Sequence, residues 1–219
     1  MMTAIENASR PRSRHRIHAN PFSVPKPDPI PNWDDAFGRK APIALEIGFG
    51  IGGFLLDLGE KHPEWNALGI EIRQHFVNSV LKQAEQRGLA NVQAIVANVN
   101  RDLDELLEDQ SICFVSVNFP DPWFKKRHHK RRVIQNDFLD ILVRKMTPGA
   151  IFHLMTDFTP IGEDSLEIFE GRSDFVNLEG TGKFAQKSTT EIMSEREVTH
   201  MRREDPISRL HYQYMPDNS

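Results

Sequence analysis

A glycine-rich segment lies between a predicted strand and a predicted helix. It reads Gly48-Phe49-Gly50-Ile51-Gly52-Gly53 and follows the apolar run at 43–47. Glycines here allow a tight turn and let a ligand approach the backbone. A carboxylate, Glu71, follows the next predicted strand, 19 residues after Gly52, and this spacing is typical of a carboxylate that binds ribose hydroxyls. The pattern predicts a site for a nucleoside-containing ligand, with contacts from Gly48, Gly50, Gly52 and Glu71.

The charge next to this segment narrows the ligand class. Glu46 lies two residues before Gly48, at the end of the predicted strand. A helix N-terminus ordinarily attracts the pyrophosphate of a dinucleotide, but a carboxylate at this point would repel it. S-adenosylmethionine carries an ammonium, a sulfonium and a ribose without phosphate, so Glu46 favours this methyl donor over NAD. The alternative is that Glu46 points away from the ligand and bonds a neighbouring loop.

A second segment with reactive groups, Asn118–Phe124, follows the fourth predicted strand. Pro120 and Pro122 stiffen the backbone on either side of Asp121. A rigid loop at the carboxyl end of a strand is where an α/β enzyme keeps its chemistry, which makes Asp121 the candidate catalytic group. Trp123 and Phe124 either stack on a nucleic-acid base or pack beneath the loop.

A basic run follows this loop without a break. Removing residues 125–132 from the chain would change its balance of 27 basic and 31 acidic residues to 21 and 31. A concentrated positive patch on an acidic body predicts an anionic partner, and nucleic-acid phosphates fit this role. A nuclear-localisation signal is the alternative, but it leaves the adjacent carboxylate and aromatic rings unexplained. The basic residues are Lys125, Lys126, Arg127, Lys130, Arg131 and Arg132.

Strand-like and helix-like segments alternate along the chain and would position these groups. Apolar runs predict strands at 43–47, 66–70, 92–96, 112–117, 150–155, 175–178 and 207–214. Helical periodicity predicts helices at 54–62, 73–87, 102–107, 133–146 and 162–169, with a turn at Pro148-Gly149. Regular alternation predicts a doubly wound, mostly parallel α/β sheet with helices on both faces and ligands at the carboxyl ends of its strands.

The first 32 residues have a different composition from the rest. They hold six of the 14 prolines and the basic residues Arg10, Arg12, Arg14, Arg16 and Lys26. We therefore predict an extended arm over 1–35 and one catalytic domain over 36–219. The arm is either a disordered tail or a basic segment that reaches an anionic partner.

Composition also bears on compartment and partners. A single cysteine, Cys113, excludes an internal disulfide and a Cys-rich metal site and fits a reducing compartment. No apolar run approaches the roughly 18–20 residues that span a bilayer, and the first residues lack a signal-peptide core. We expect a cytoplasmic protein without membrane or metal partners, either a monomer or a homodimer. An Arg-rich, acid-free stretch at 7–19 leaves a mitochondrial presequence open.

Three of these segments together resemble one protein family. They are Glu46-Ile47-Gly48-Phe49-Gly50-x-Gly52, Gly69-Ile70-Glu71, and the run from Phe119-Pro120-Asp121-Pro122-Trp123 through Lys125-Lys126-Arg127-His128 to Arg132. From about residue 40 to 214 the chain resembles the bacterial tRNA (guanine-N7-)-methyltransferases. The resemblance implies transfer of a methyl group from S-adenosylmethionine to a variable-loop guanine of tRNA. It also implies a class I methyltransferase sheet of seven strands, the last one antiparallel.

The resemblance assigns roles to single residues. Glu46, Glu71 and Asn98 would bind S-adenosylmethionine, Asn98 standing where the family has Asp. Asp121 would lie close to the methyl group and be catalytic, or alternatively would orient the cofactor's ammonium. Substrate binding would fall to Lys125, Asp157, Ser194 and Glu197, and the rest of the basic run would contact the RNA backbone.

Besides Asn98, four positions depart from the family pattern. Arg196 replaces an aromatic residue, Thr199 an arginine, Phe124 a proline, and Ile161 a common tyrosine. Because these changes surround the predicted guanine pocket, they bear on the identity of the substrate more than on the type of reaction. Two alternatives therefore stay open: a methyltransferase of another RNA or of a small molecule, and a non-catalytic RNA-binding relative.

Overall fold

The structure, a computed structural model, describes residues 20–188 and 190–216. Within these ranges the strands are β1 (Ile43–Ile47), β2 (Asn66–Glu71), β3 (Val92–Val96), β4 (Ile112–Asn118), β5 (Met146–Thr156), β6 (Phe175–Asn177) and β7 (Ser208–Tyr214). The α-helices are α1 (Trp33–Phe37), α2 (Gly53–Lys61), α3 (Gln74–Arg87), α4 (Val99–Leu106), α5 (Asn136–Lys145), α6 (Thr159–Glu170) and α7 (Glu195–Arg202). Two 3₁₀ turns cover Pro21–Ser23 and Lys126–Arg131.

The seven strands form one sheet in the order β3-β2-β1-β4-β5-β7-β6. The first five strands run parallel, and β7 pairs antiparallel with both β5 and β6. Alternate residues of β1 point to opposite faces: Leu45 joins the core with α4 and α5, whereas Ala44 joins the core with α2 and α3. The predicted doubly wound, mostly parallel sheet with helices on both faces is confirmed.

The boundaries around β5 were predicted wrongly. The helix expected over 133–146 is α5 and ends at Lys145, and Met146 already belongs to β5. Pro148-Gly149 does not end the helix with a turn but lies within β5, where Gly149 has a φ of +84°. Pairing of β4 with β5 shifts register between Ile112 and Phe114. An irregularity in the strand thus takes the place of the predicted turn.

Helix α7 has no counterpart in the sequence-based prediction. It lies in a polar stretch and buries only Glu197, so it shows no apolar periodicity. The available signal was local instead. Ser194 accepts a hydrogen bond from the Glu197 N–H, and Ser-x-x-Glu is the sequence pattern of a helix N-terminus. Helix α4 likewise begins earlier than predicted, because Asn98 caps it through the Asn100 N–H.

The structure describes the predicted N-terminal arm only from residue 20 onward. Residues 1–19, which contain its Arg-rich part, lie outside the described residues. The remainder packs beside α4: Arg101 donates a hydrogen bond to the Val24 carbonyl at 3.0 Å, and Lys26 pairs with Glu105 at 2.6 Å. Residues 20–35 therefore contact the sheet domain directly.

Candidate active site

Two cavities open at the carboxyl edge of the sheet, where β1, β2 and β4 end. The first, here the Glu71 cavity, is lined by Glu71, Asn98, Asp121, Trp123 and Arg131 among others. The second, here the Glu46 cavity, has a volume of about 620 Å³ and is lined by Glu46, Gly50, Asp157, Ser194 and Glu195 among others. Gly48 and Phe119 line both, so the two cavities are adjacent.

The glycine loop separates β1 from α2. Gly48, Gly50 and Gly52 have φ values of +72°, +59° and +86°, a region that L side chains rarely adopt. A β-carbon at Gly52 would also lie 2.5 Å from Cγ2 of Val80. The loop is tied to β2, because the Gly50 N–H donates to Glu71 Oε2 at 3.1 Å. The predicted tight turn is therefore present and leaves its backbone beside both cavities.

Glu46 is 2% exposed and points into its cavity. Its Oε1 accepts a hydrogen bond from Asn118 Nδ2 at 3.1 Å, while its buried Oε2 has no partner among the described residues. Burial raises the pKa of Glu46 to about 8; the Asn118 hydrogen bond lowers it, and the charges of Glu195 and Glu71 raise it further. A buried carboxylate with an unmet acceptor fits a cationic group such as an ammonium. Asn118 was not predicted, although a polar residue at a strand end is the pattern that would indicate it.

Glu71 and Asn98 lie in the Glu71 cavity, as the predicted cofactor site requires. The Glu71 carboxylate is buried and accepts hydrogen bonds from the N–H groups of Gly50, Ile72 and Arg73 and from the Arg73 guanidinium. Asn98 donates from Nδ2 to the carbonyl of Pro21 at 3.2 Å. The segment beginning at residue 20 thus lies against the Asn98 side of this cavity.

The rigid loop after β4 carries Asp121 at the mouth of the Glu71 cavity. Phe119 and Trp123 have positive φ values, and the Phe119 N–H bonds to the Met155 carbonyl at 2.7 Å. Trp123 is buried under the Arg131 guanidinium, 4.9 Å from the ring centre. Phe124 is 66% exposed and makes an edge contact with Phe158. Of the two aromatic rings, Trp123 is buried and lines the Glu71 cavity, and Phe124 is exposed to solvent.

The basic run divides into two groups. Arg131 lines the Glu71 cavity, and Arg132 donates to the Pro122 carbonyl at 3.1 Å and pairs with Asp164. These two side chains therefore hold the Asp121 loop in place. The exposed cations, which remain accessible to an RNA backbone, are Lys125, Lys126, Arg127 and Lys130.

Asp157 lies at the end of β5 and is engaged by α7. Arg196 donates two hydrogen bonds to its carboxylate, at 2.9 and 2.7 Å, and His200 Nε2 lies 3.2 Å from Oδ2. Both side chains also lie over the Phe119 ring, the Arg196 guanidinium 5.3 Å from its centre. This pairing joins residues 39 apart in the chain and had not been predicted.

The other predicted substrate residues are distributed differently. Ser194 lines the Glu46 cavity while capping α7. Glu197 is not among the residues lining the cavities described here; it is buried and accepts a hydrogen bond from Arg209 at 2.9 Å. Lys125 lies exposed at the start of the basic 3₁₀ turn. The structure thus brings Asp157 and Ser194 together at the Glu46 cavity but keeps Lys125 and Glu197 apart from them.

Two features are absent from residues 20–188 and 190–216. None of their helices is long and apolar enough to cross a bilayer. None of their His, Cys, Asp and Glu side chains form a group of three or more suited to hold a metal ion.

Comparison with known proteins identifies the family. Residues 40–210 match a family described as "Putative methyltransferase". The chain is 36% identical over 161 residues to the tRNA (guanine-N(7)-)-methyltransferase of Sodalis glossinidius, which covers 74% of this chain and 67% of that relative. It is 35% identical over 166 residues to the enzyme of the same name from Yersinia pestis, with 76% and 70% covered.

Solved structures agree on the fold. The 16S rRNA methyltransferase KamB superposes with a TM-score of 0.59 at 13% identity, covering 84% of this chain and 93% of that one. The antibiotic-resistance methyltransferase Kmr gives 0.58 at 16% identity, with 84% and 92% covered. The sheet is that of the class I methyltransferases, and the chain belongs to the tRNA (guanine-N7-)-methyltransferase family.

Proposed function

We propose that this protein transfers a methyl group from S-adenosylmethionine to N7 of a guanine in tRNA. The observation that carries the proposal is the placement of Asp121 on a rigid loop at the Glu71 cavity, directly followed by exposed cations. One edge of the sheet thereby offers a nucleoside site, a fixed carboxylate and a phosphate-binding surface. Since tRNA is the proposed substrate, the proposed compartment is the cytoplasm.

The residues present fit the cofactor. The unpartnered Oε2 of Glu46 would accept the ammonium of its amino-acid end. Glu71 would accept ribose hydroxyls, Asn98 would contact the adenine side, and Gly48 and Gly50 would let the ligand lie against the backbone, while Gly52, which lines neither cavity, would hold the turn through its positive φ. When bound, S-adenosylmethionine supplies an electrophilic methyl group on its sulfonium.

Guanine N7 has an exposed lone pair and carries no proton. Its methylation therefore needs no general base, and catalysis consists of positioning and charge placement. We assign Asp121 to hold the base, through its exocyclic amine, and to offset the positive charge that develops on the ring. The stiff backbone set by Pro120 and Pro122 keeps that carboxylate fixed, so little reorganisation accompanies the reaction.

Asp157 is suited to the Watson–Crick edge of the base, where the exocyclic amine has a second N–H next to N1–H. Guanine presents an N1–H and an N2–H₂ group side by side, and these two donors would take the place of the two hydrogen bonds that Nη2 of Arg196 donates to the Asp157 carboxylate. In this proposal the base replaces Arg196 on Asp157 as it enters. Glu197 has one buried oxygen without a partner among the described residues, and its ion pair with Arg209 orients the start of α7.

The same Arg196–Asp157 pair favours a second candidate, methylation of a different RNA, because Arg196 occupies the carboxylate that is predicted to contact guanine. Salt dependence and substrate comparison distinguish the candidates. Transfer of labelled methyl groups to bulk tRNA is measured between low and moderate salt, with 16S rRNA and free guanosine as comparison substrates. We expect the protein to prefer tRNA. We also expect a plot of log affinity against log salt concentration to be linear, with a slope of about −0.9 for each duplex phosphate that the protein contacts.

The matched control for that experiment is the double variant Lys126→Gln and Arg127→Gln, which removes two exposed cations outside both cavities. It should flatten the salt dependence and leave cofactor binding intact. Salt-insensitive transfer, or equal transfer to free guanosine, would remove tRNA from the proposal.

A further inference from the structure

A second carboxylate, that of Glu195, lines the Glu46 cavity. It is the first residue of α7, and its side chain lies against the N-terminus of α2. A β-carbon on Gly53, the first residue of α2, would overlap the Glu195 carboxylate and lie 2.7 Å from its Cδ. Helix α7 therefore reaches across the Glu46 cavity to the glycine loop.

The Glu195 carboxylate forms no side-chain hydrogen bond or ion pair with any residue that the structure describes. Arg73 and Arg196 also line this cavity, but Arg73 is paired with Glu71 and Arg196 with Asp157. Arg203, a further cation of the lining, bonds to neither Glu46 nor Glu195. Residues 20–188 and 190–216 thus supply these two carboxylates with no cation.

Glu46 lines the same cavity, and its buried Oε2 has no hydrogen-bond partner among the described residues. The charges of Glu46 and Glu195 repel each other across this space, and the repulsion contributes to the raised pKa of Glu46. Two uncompensated carboxylates on one cavity, one of them buried, are matched by a compact cation with several donors. A primary ammonium has three donors and can bond both at once.

We propose that Glu195 is a second ligand for the ammonium of the cofactor's amino-acid end, which it holds from α7 while Glu46 holds it from β1. The inference rests on the proposed function, since it assigns the ammonium to S-adenosylmethionine. Because Arg196 follows directly in α7 and holds Asp157, the same helix end then contacts both the cofactor and the base-binding carboxylate. Glu195 is a binding residue in this account and takes no part in methyl transfer.

Calorimetric titration tests this with two ligands that differ at the amino-acid end and in the charge of the sulfur. S-adenosylmethionine carries the ammonium, and 5′-methylthioadenosine lacks the whole amino-acid chain. In Glu195→Gln we expect the affinity for S-adenosylmethionine to fall about fivefold to twentyfold, as for the loss of one charge-assisted hydrogen bond near solvent. The affinity for 5′-methylthioadenosine should not change. Glu195→Asp, which keeps the charge but shortens the reach, should show a smaller loss than Glu195→Gln.

The matched control is Glu191→Gln, an exposed carboxylate four residues earlier that lines neither cavity. It should leave both affinities unchanged. Wild-type affinity for S-adenosylmethionine in Glu195→Gln would overturn the inference and leave the proposed function standing. An equal loss for both ligands would assign Glu195 a structural role and overturn it as well. If the wild-type protein bound no S-adenosylmethionine, the proposed function and this inference would fail together.

Discussion

Replacing Arg196 with alanine should strengthen the binding of tRNA. The Arg196 guanidinium makes two hydrogen bonds to Asp157, at 2.9 and 2.7 Å. If guanine binds Asp157 through its own two-donor edge, these bonds must break before the base can enter. The variant removes that cost and leaves Asp157 in contact with His200.

The exposure of the pair sets the size of the effect. The side chains of Arg196 and Asp157 are 34% and 23% exposed, so solvent screens the pair in part. A fully exposed ion pair contributes roughly 0.2–1 kcal/mol, whereas hydrogen bonds to charged groups contribute about 1.5–3 kcal/mol when buried. An intermediate value of about 1–2 kcal/mol corresponds to a roughly fivefold to thirtyfold change in affinity.

Steady-state methyl transfer at varied tRNA concentration measures this effect. We expect the KM for tRNA to fall by about that factor in Arg196→Ala, with kcat nearly unchanged, because the contact is lost before the transition state. Arg202→Ala removes an exposed arginine from the same helix and controls for the loss of positive charge. If the KM for tRNA rose in Arg196→Ala and not in Arg202→Ala, this prediction would be wrong, because Arg196 itself would then bind the substrate.

Three further predictions follow from single side chains. Because Glu46 has a pKa of about 8 and the ammonium binds its charged form, cofactor binding at pH 7 should release about one proton. Calorimetry in buffers of different ionisation heat detects the released proton, and Glu46→Gln should abolish its release. Burial lowers the pKa of His153 to about 3, so its contribution to the free energy of unfolding is present in full above pH 6.5 and should be lost as the pH falls from 6.5 towards 3. Urea unfolding of wild type and His153→Gln at pH 7 and pH 5 measures this, and an equal fall in the free energy of unfolding in both proteins would contradict it. Gly52→Ala should lower the free energy of unfolding by about 1–3 kcal/mol, because residue 52 has a positive φ and the new β-carbon would lie 2.5 Å from Val80. Gly50→Ala should lower the free energy of unfolding less in the same denaturation assay, because residue 50 has a positive φ but open space around it.

The parallel part of the sheet could be predicted because its signals are local. Each parallel strand is a short apolar run, and the glycine loop after β1 marks its own turn through positive φ values. The carboxyl ends of parallel strands meet at one edge, so Glu71 and Asp121 were expected there and are found lining one cavity. Motif spacing was sufficient for these residues.

The base side of the site could not be predicted in the same way. Its geometry depends on pairs distant in sequence, Asp157 with Arg196 and Glu197 with Arg209, which no periodicity indicates. Arg132 shows the same limit, because a charge within a basic run proved to hold the Pro122 carbonyl rather than lie fully exposed. Which cations of a run face solvent is decided by the packing of the neighbouring loop.

The most direct test of the proposed reaction is the identity of the methylated nucleoside. Bulk tRNA is incubated with S-adenosylmethionine and the protein, digested to nucleosides and analysed by mass spectrometry, with Asp121→Asn as the matched variant. We expect 7-methylguanosine with the wild-type protein and at least a roughly tenfold smaller yield with Asp121→Asn, which keeps the shape of the side chain but removes the charge. A different methylated nucleoside, or no methylated nucleoside despite measurable cofactor binding, would contradict the account.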